Sequence, residues 1–256
     1  MDDNQRFSLR GKTVLLTGGA GKYGAALTQA LAESGATLIV ASRNQEALHA
    51  TVERFKGAVT VAPLDQADEQ SILALRDLIV GQFGSLDGLV NNAVSRPVKG
   101  LHGSADSWDE SMAVNSRGVM LMHRHFGEMM ASQTTGGSIV NIGSIYGMTG
   151  PTTSLYTDPE PNLVPDYYFH KAGLINLSRF YAGVYGKQKV RVNCISAGGL
   201  LAGQDPGFVE RYGSHTFLGR MASGEELAGP VIFLLSTAAS YITGENLVVD
   251  GGFTAH

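Results

Sequence analysis

The chain has 256 residues, of which 43% are hydrophobic and 16% charged, and its formal net charge is −4. That length fits one large α/β domain or two small ones, and the lack of long runs of like charge argues against nucleic-acid and membrane-surface partners. The polar N-terminus lacks the apolar core of a signal peptide, and the apolar runs are too short to span a bilayer. Cys194 is the only cysteine, which excludes an internal disulfide and predicts a cytoplasmic protein with Cys194 in a strand core.

A glycine-rich turn separates the first predicted strand from the first predicted helix. Residues 13–16 form a short apolar run rich in β-formers, and apolar residues recur at helical spacing over 25–31. Four glycines lie between or within these runs: Gly18, Gly19, Gly21 and Gly24. This arrangement aims free backbone N–H groups at a phosphate, and glycine leaves room for one. It therefore favours dinucleotide binding over the alternative, a tight turn that holds no ligand.

Strands and helices alternate along the rest of the chain. Further strands are predicted at 37–41, 59–62, 86–90, 138–142, 190–195 and 246–249. Helices are predicted at 45–55, 67–83, 166–186 and 225–236, with one or two more within 106–131. This alternation predicts an α/β fold, a doubly wound parallel sheet of about seven strands with helices on both faces. Because no internal repeat or linker interrupts the pattern, residues 1–256 are expected to form a single domain.

Two stretches break this alternation. Residues 149–166 are proline-rich and are expected to hold little regular structure, and residues 198–224 are rich in glycine. Long loops in compact domains are usually functional, and ligands of open α/β sheets bind beyond the carboxyl ends of strands. We therefore expect both stretches to form walls of a substrate pocket, the alternative being that one is a mobile surface loop.

Tyr167 and Lys171 lie one helical turn apart, so their side chains share a face of the helix predicted at 166–186. A free tyrosine titrates near ~10, and bringing its pKa to ~7 requires about 4 kcal/mol. One cation ~4 Å away supplies about that much at an effective dielectric constant near 20. A lysine at this spacing can therefore convert the phenol into an acid/base group, although the same spacing is common on solvated helix faces.

Short motifs at the ends of successive strands carry a family resemblance. They are Thr17-Gly18 with Gly24, Asn91-Asn92-Ala93, Asn115, Asn141-Ile142-Gly143-Ser144, Tyr167 with Lys171, Arg191-Val192-Asn193, Tyr241-Ile242-Thr243-Gly244 and Val249-Asp250-Gly251-Gly252. Each is weak alone, but together and in this order they are highly specific. The chain therefore resembles the short-chain dehydrogenase/reductase family over nearly its whole length, which implies a single-domain Rossmann fold.

The resemblance implies four catalytic residues. Tyr167 would be the general acid/base for a carbonyl or alcohol oxygen, and Ser144 would hydrogen-bond the same oxygen. Lys171 would lower the pKa of Tyr167 and hold the nicotinamide ribose, and Asn115 would support a water that leads protons to Lys171. The expected reaction is hydride transfer between a nicotinamide cofactor and a secondary alcohol or ketone, in which the protein supplies positioning and proton transfer.

The resemblance also implies a set of cofactor-binding residues and no metal. The set is Gly18, Gly21, Lys22, Tyr23, Gly24, Ser42, Arg43, Asp65, Asn92, Ala93, Tyr167, Lys171, Ala197 and Gly198. NAD-binding members place an acid at the end of the second strand, whereas this chain continues Ser42-Arg43-Asn44. Arg43 and the nearby Lys22 favour a 2′-phosphate, so NADP is expected and NAD remains an option. For Asn92 a structural role, and for Asp65 a helix N-cap role, are equally open.

Three residues depart from the family pattern. Lys22 and Val94 stand where the family usually has glycine, and Ala197 stands where it usually has proline. Lys22 either crowds a bound pyrophosphate or occupies a backbone position compatible with a helix, and Ala197 loosens the turn beside the nicotinamide. These departures motivate a second hypothesis, a dinucleotide-sensing or scaffold protein without turnover. A third hypothesis is a sugar epimerase that retains its cofactor.

Substrate and assembly are predicted by similarity alone. The segments 144–147 and 203–206 weakly resemble bacterial members tied to sugar metabolism, which suggests a sugar or polyol substrate. The connection between Ser144 and Tyr167 is longer than usual, and its extra length is the proline-rich stretch. The helices within 106–131 and 166–186, together with residues 237–256, resemble the family's assembly faces, so a homotetramer or dimer is expected.

Overall fold

Seven parallel strands form one sheet in the computed structural model, which describes residues 6–55 and 58–256. The strands are β1 (Thr13–Thr17), β2 (Thr37–Ser42), β3 (Val59–Pro63), β4 (Gly88–Asn91), β5 (Gly137–Ile142), β6 (Val190–Ala197) and β7 (Asn246–Val249). Their order across the sheet is β3-β2-β1-β4-β5-β6-β7. The chain reverses its direction of winding between β3 and β4, so the carboxyl ends of β1 and β4 border an open crevice.

Helices cover both faces of this sheet. They are α1 (Lys22–Glu33), α2 (Gln45–Val52), α3 (Glu69–Phe83), α4 (Ala105–Met112), α5 (Val119–Ala131), α6 (Pro165–Tyr185), α7 (Pro206–Ser214) and α8 (Ala228–Leu235). The predicted fold class, a doubly wound parallel sheet of the Rossmann type, is confirmed. Most predicted elements match these bounds to within two residues, whereas 45–55 and 225–236 each combine an α-helix with a short 3₁₀ turn.

The central strands are buried on both faces, which explains their continuous apolar sequence. In β1, Val14 and Leu16 pack into the cluster under α1 and α8, whereas Leu15 packs into the opposite cluster under α3 and α5. All five residues of β1 are buried. Burying one such aliphatic side chain stabilises the fold by about 1.5–3 kcal/mol, so this strand anchors the sheet from which the crevice opens.

The helix α7 corrects the expectation that 198–224 is irregular throughout. The Asp205 carboxylate accepts a hydrogen bond of 3.0 Å from the backbone N–H of Phe208, and Pro206 occupies the first helical turn. Tyr212 is buried against Phe253 and supplies the apolar anchor. Residues 149–164 hold no regular structure apart from the 3₁₀ turns Thr153–Leu155 and Glu160–Asn162, and α6 begins at Pro165.

The segment predicted to hold one or two helices contains α4 and α5, joined by a π-helical segment, Ala113–Gly118. The wider turn places Asn115 on the inside, where its side chain is buried. Such π segments are rare and often lie at functional sites. Among residues 6–55 and 58–256, no helix is both long and apolar enough to cross a membrane.

Candidate active site

A cleft of about 1160 Å³ lies over the carboxyl ends of the central strands, at the winding reversal. One end is lined by the glycine turn and the ends of β2 and β3, including Gly18, Arg43 and Asp65. The other end is lined by aromatic and polar residues of the two irregular stretches. Ser144, Tyr167 and Lys171 lie on its wall. The cleft brings together the predicted cofactor and catalytic residues, apart from Gly24 and Asn115, which lie behind its wall.

The glycine turn is closed too tightly for side chains. Gly18 has φ +70°, and a Cβ there would lie 2.8 Å from the Cα of Ala93. A Cβ on Gly24 would overlap the carbonyl oxygen of Gly18. The helix α1 then begins without a side-chain cap or an acid in its first turn, so its N-terminal N–H groups remain free for an anion. The turn therefore fits the pyrophosphate of a dinucleotide.

Lys22 causes no steric problem in this turn. It is the first residue of α1, where the backbone is helical, and its side chain is exposed. Of the two interpretations, the structure therefore favours a backbone compatible with a helix over crowding. One of the three departures that motivated the non-catalytic hypothesis is therefore accommodated by the local backbone geometry.

Asn92 braces the turn from the adjacent strand. Its amide nitrogen donates to the carbonyl oxygens of Thr17 and Gly18, both at 3.0 Å. The Thr17 hydroxyl in turn accepts from the backbone N–H groups of Asn92 and Ala93. These bonds give Asn92 the structural role that the sequence left open, while Asn92 and Ala93 also line the cleft.

The end of the cleft beside β2 and β3 lacks an acid after β2. The Ser42 hydroxyl accepts from the Asn44 backbone, and the Arg43 side chain is exposed. Asp65 accepts a hydrogen bond of 2.9 Å from the backbone N–H of Ala67, whereas the N-cap of α3 is Asp68. The N-cap interpretation of Asp65 is therefore wrong, and its carboxylate lies in the cleft.

Tyr167 and Lys171 lie one turn apart near the start of α6. The Lys171 ammonium is buried and lies 5.6 Å from the centre of the Tyr167 ring. Burial of Tyr167 alone would raise the pKa of its phenol. The charges of Lys171 and Arg96 and the hydrogen-bonding influence of Ser144 more than offset that effect, so the pKa of Tyr167 is lowered. The geometry therefore supplies an acidified phenol facing the cleft.

Arg96 is a site residue that the sequence analysis missed. It lies in the loop after β4, and its guanidinium carbon is 4.5 Å from the centre of the Tyr167 ring. This is a cation–π contact, and the same charge helps to lower the pKa of Tyr167. In the sequence, Arg96 could have been noticed only as a cation that follows β4, a strand that borders the crevice, by five residues.

Ser144 follows β5, which brings it beside Tyr167. Its side chain is buried, and its hydroxyl accepts a hydrogen bond of 3.2 Å from the backbone N–H of Tyr146. That bond starts a 3₁₀ turn and fixes the hydroxyl oxygen. The hydroxyl hydrogen faces the Tyr167 oxygen, so it can be donated to a ligand oxygen that binds between the two side chains.

Asn115 uses its whole side chain to hold the loop after β4. Its amide oxygen accepts from the Ser95 backbone N–H at 2.9 Å, and its nitrogen donates to the Ser95 carbonyl at 2.8 Å. The nitrogen also donates to Ser111, whose hydroxyl donates to Asp166 at 2.5 Å. The predicted role of Asn115 in supporting a water near Lys171 stays a prediction.

The turn after β6 is fastened by two phenols. The Tyr23 hydroxyl donates to the Gly198 carbonyl at 2.8 Å, and the Tyr212 hydroxyl accepts from the Gly199 N–H at 2.5 Å. Burial raises the pKa of Tyr212 to about 12, and burial also raises the pKa of Tyr23. The turn containing Ala197 and Gly198 is therefore held by side chains where the family usually has proline.

Tyrosines line the end of the cleft opposite the glycine turn. Tyr146 stacks on Tyr168 with ring centres 4.7 Å apart, and its hydroxyl lies 3.4 Å from that of Tyr156. Burial is the main cause that raises the pKa of Tyr168 to about 12, so at neutral pH it is a neutral donor. Phe208 of α7 packs on Tyr156 and closes this end. Within 6–55 and 58–256, no group of three His, Cys, Asp or Glu residues could hold a metal ion.

Comparisons with known proteins agree with this geometry. A family model described as enoyl-(acyl carrier protein) reductase matches residues 23–254. A 2,5-dichloro-2,5-cyclohexadiene-1,4-diol dehydrogenase of Sphingobium indicum is 34% identical over 96% of this chain and 98% of the relative.

Two solved structures are similar over almost their whole length. One is a gluconate 5-dehydrogenase from Burkholderia cenocepacia J2315 in complex with NADP and tartrate, with TM-score 0.87, 27% identity and coverage of 99% of both chains. The other is a short-chain dehydrogenase from Leptospira borgpetersenii with bound NAD+, with TM-score 0.87 and 30% identity. It covers 96% of this chain and 94% of that one.

Proposed function

Because the chain belongs to the short-chain dehydrogenase/reductase family, we propose that it is an NAD(P)(H)-dependent oxidoreductase that interconverts a secondary alcohol and a ketone. The observation that carries this proposal is the acidified phenol of Tyr167 beside a buried Lys171 in the cleft. A protein that only senses a dinucleotide needs no such acid/base group. The relatives named above are dehydrogenases, which supports turnover.

The residues divide the proton chemistry between them. In alcohol oxidation, the Tyr167 phenolate would accept the hydroxyl proton, and in ketone reduction the phenol would return it to the carbonyl oxygen. Ser144 would donate a hydrogen bond to the same oxygen and stabilise the charge that develops there. The Lys171 ammonium donates to the Ile142 carbonyl at 2.6 Å, so its remaining N–H donors are available to the cofactor ribose.

The nicotinamide cofactor would supply the hydride chemistry when bound. The glycine turn and the start of α1 would hold its pyrophosphate, and Arg43 with Lys22 would hold a 2′-phosphate. The lack of an acid after β2 supports NADP(H), and one similar structure contains NADP while another contains NAD+. We therefore propose NADP(H) as the preferred cofactor and NAD(H) as a weaker one.

The substrate proposed is a polar, hydroxyl-bearing compound such as a sugar, polyol or cyclic diol. The tyrosine-rich wall and the polar groups of 149–166 and 198–224 can hydrogen-bond several hydroxyls. The names of the relatives, which act on a cyclic diol and on gluconate, support the same class. Both stretches are proposed as substrate-side walls of one domain.

Assembly and location are also proposals. Phe169 and Phe180 of α6 are each 61% exposed, and Tyr241 near the C-terminus is fully exposed. Exposed aromatic side chains of this size support a homo-oligomer, a tetramer or dimer, with α4–α6 and the C-terminal residues at the contacts. The unpaired, buried Cys194 supports a cytoplasmic location.

A substrate panel tests the proposed function. NADP+ and NAD+ would be offered with secondary alcohols, sugars, polyols and hydroxy acids, and NADPH and NADH with ketones, while absorbance of the reduced cofactor is followed. We expect NADP(H)-dependent turnover of at least one polar secondary alcohol or ketone. Tight cofactor binding without turnover across the panel would instead support the sensing role. A reduced cofactor retained through purification would point to an epimerase.

A further inference from the structure

Arg96 presents an unpaired positive charge to the substrate end of the cleft. Its side chain is exposed, and its guanidinium lies over the Tyr167 ring with its carbon 4.5 Å from the ring centre. In the described ranges 6–55 and 58–256, no ion pair includes Arg96. A guanidinium offers five N–H donors in a fixed fork, and its contacts with Tyr167, the ring face and a hydrogen bond to the phenol oxygen, use only part of them. Donors therefore remain for a ligand.

Two side chains, the buried Asn115 and the exposed Lys99, hold the loop that carries Arg96. Asn115 grips Ser95 through both its backbone N–H and its carbonyl. The Lys99 ammonium donates a hydrogen bond of 3.0 Å to the Arg96 carbonyl, which fixes the loop from the other side. A cation positioned before its ligand arrives loses less conformational freedom on binding, so this arrangement favours affinity.

The local charge balance favours an anion. Arg96 and Lys171 flank Tyr167, and the charge of Arg96 adds to the burial that lowers the pKa of Lys171. The nearby carboxylate of Asp166 is buried, accepts from the Ser111 hydroxyl and forms no ion pair with Arg96. An anionic group of the substrate would relieve the repulsion between the two cations.

We propose that Arg96 binds a carboxylate of the substrate, which is therefore a hydroxy acid or the corresponding oxo acid. This inference rests on the proposed function. A carboxylate matches the guanidinium fork with two parallel hydrogen bonds. Because Arg96 lies against the ring of Tyr167, the carboxylate and the reacting oxygen must be close neighbours in the substrate. This geometry points to an α- or β-hydroxy acid, or one that folds to bring the two groups together.

Matched acid and amide probes test the proposal by binding alone. Lactate and 3-hydroxybutyrate, with lactamide and 3-hydroxybutyramide as neutral partners, would be titrated calorimetrically into the NADP+-loaded protein. We expect each acid to bind more tightly than its amide. Arg96→Gln should weaken the acids by about 10- to 100-fold, the range for losing a charged hydrogen-bond pair, and the amides by less than about threefold.

Arg211→Gln is the matched control, because it removes an equal charge from another wall of the same cleft and leaves the contacts of the Arg96 loop in place. If a general positive field attracts acids, both variants will weaken them equally, and the proposal fails. If Arg96→Gln weakens acid and amide binding equally, Arg96 acts only through its contact with Tyr167, and the proposal fails. Arg96→Gln could instead bind NADP+ more weakly while the NADP+-loaded variant binds the acids as tightly as the loaded wild type does. That result would show that Arg96 contacts the cofactor, and it would also overturn the proposal.

Binding and turnover separate this proposal from the proposed function. A preference for acids that depends on Arg96 would stand even if no alcohol in the panel were oxidised. Conversely, turnover of neutral polyols with no preference for acids would retain the oxidoreductase and reject the carboxylate site. Arg96→Lys supplies a further readout, because a point charge restores attraction without the two parallel bonds and should recover only part of the acid affinity.

Discussion

The Lys171 ammonium donates a hydrogen bond of 2.6 Å to the carbonyl oxygen of Ile142, the last residue of β5. Ser144 follows Ile142 by two residues, and Tyr167 precedes Lys171 by one helical turn. A single bond between a helix and a strand end therefore ties together the elements that carry the hydroxyl, the phenol and the ammonium. The same bond orients a cation that would otherwise be costly to bury.

The first prediction concerns the phenol. Tyr167→Phe should lower kcat by about 10²- to 10⁴-fold, the usual contribution of a positioned acid/base group. The affinity for NADP+ should stay within a few-fold of the wild-type value, because the ring and its packing are retained. Steady-state kinetics with the best substrate of the panel, together with cofactor titration by fluorescence, would check both. Tyr168→Phe is the neighbouring control, and near-normal turnover in Tyr167→Phe would contradict the assignment.

The second prediction is a pH dependence of the reaction. Because the phenolate is the base in alcohol oxidation, kcat/KM should rise as pH passes upward through the lowered pKa of Tyr167. Removing the charge of Arg96 in Arg96→Gln should move this rise to higher pH, since one of the cations that lower that pKa is lost. Profiles of kcat/KM against pH for both proteins on a neutral alcohol would test this. Superimposable profiles would exclude coupling between Arg96 and Tyr167.

The apolar periodicity of the sequence predicted the sheet and its helices. A strand that is buried on both faces, such as β1, must be apolar along its length, and helices repeat apolar residues at helical spacing. Motif spacing identified Ser144, Tyr167 and Lys171 for the same site. Motif spacing could not predict contacts between residues that lie far apart in the chain. Arg96 meets Tyr167 from an irregular loop, and the bond from Tyr23 to Gly198 spans 175 residues. Short sequence patterns do not show which distant residues come into contact in the fold.

The helix α7 was missed for a different reason. Its sequence contains Gly207 and Gly213, which lower helix propensity, so the segment resembles a loop. The structure compensates with the Asp205 cap and with burial of Tyr212, which is 3% exposed. Tertiary packing thus outweighs a weak local preference.

The third prediction concerns cofactor choice. The protein should bind NADPH more tightly than NADH, because Arg43 can pair with the 2′-phosphate and no acid after β2 repels it. Arg43→Gln should narrow this preference by about tenfold or more, consistent with losing one charged hydrogen bond. Titration of both reduced cofactors would measure the ratio. Arg124→Gln, on the exposed face of α5, is the control for net charge, and tighter binding of NADH by the wild type would reject the proposal.

The fourth prediction is a pH dependence of stability. His123 is fully buried, and burial lowers its pKa from 6.5 to about 4, although its hydrogen bond to the Val119 carbonyl opposes that effect. Since the unfolded chain binds the proton first, the free energy of unfolding should fall as pH drops from about 6.5 to about 4, by about 3 kcal/mol from this group. Urea unfolding across that range would measure the slope. His123→Gln should flatten it, and an unchanged slope would exclude His123 as the cause.

The fifth prediction tests the turn that lacks proline. Tyr23→Phe removes the hydroxyl that donates to the Gly198 carbonyl at 2.8 Å and leaves the ring in place. Losing this partly buried hydrogen bond should lower the free energy of unfolding by about 1 kcal/mol. The freed turn should also raise KM for the cofactor several-fold, because Gly198 lines the cleft beside Tyr23. Tyr241→Phe is the matched control and should change neither quantity, because it keeps the exposed ring proposed for oligomer contacts and removes only a hydroxyl that forms no hydrogen bond within residues 6–55 and 58–256. If Tyr23→Phe, like Tyr241→Phe, matches the wild type in both the free energy of unfolding and the KM for the cofactor, the Tyr23 hydroxyl does not hold this turn in place of a proline at position 197.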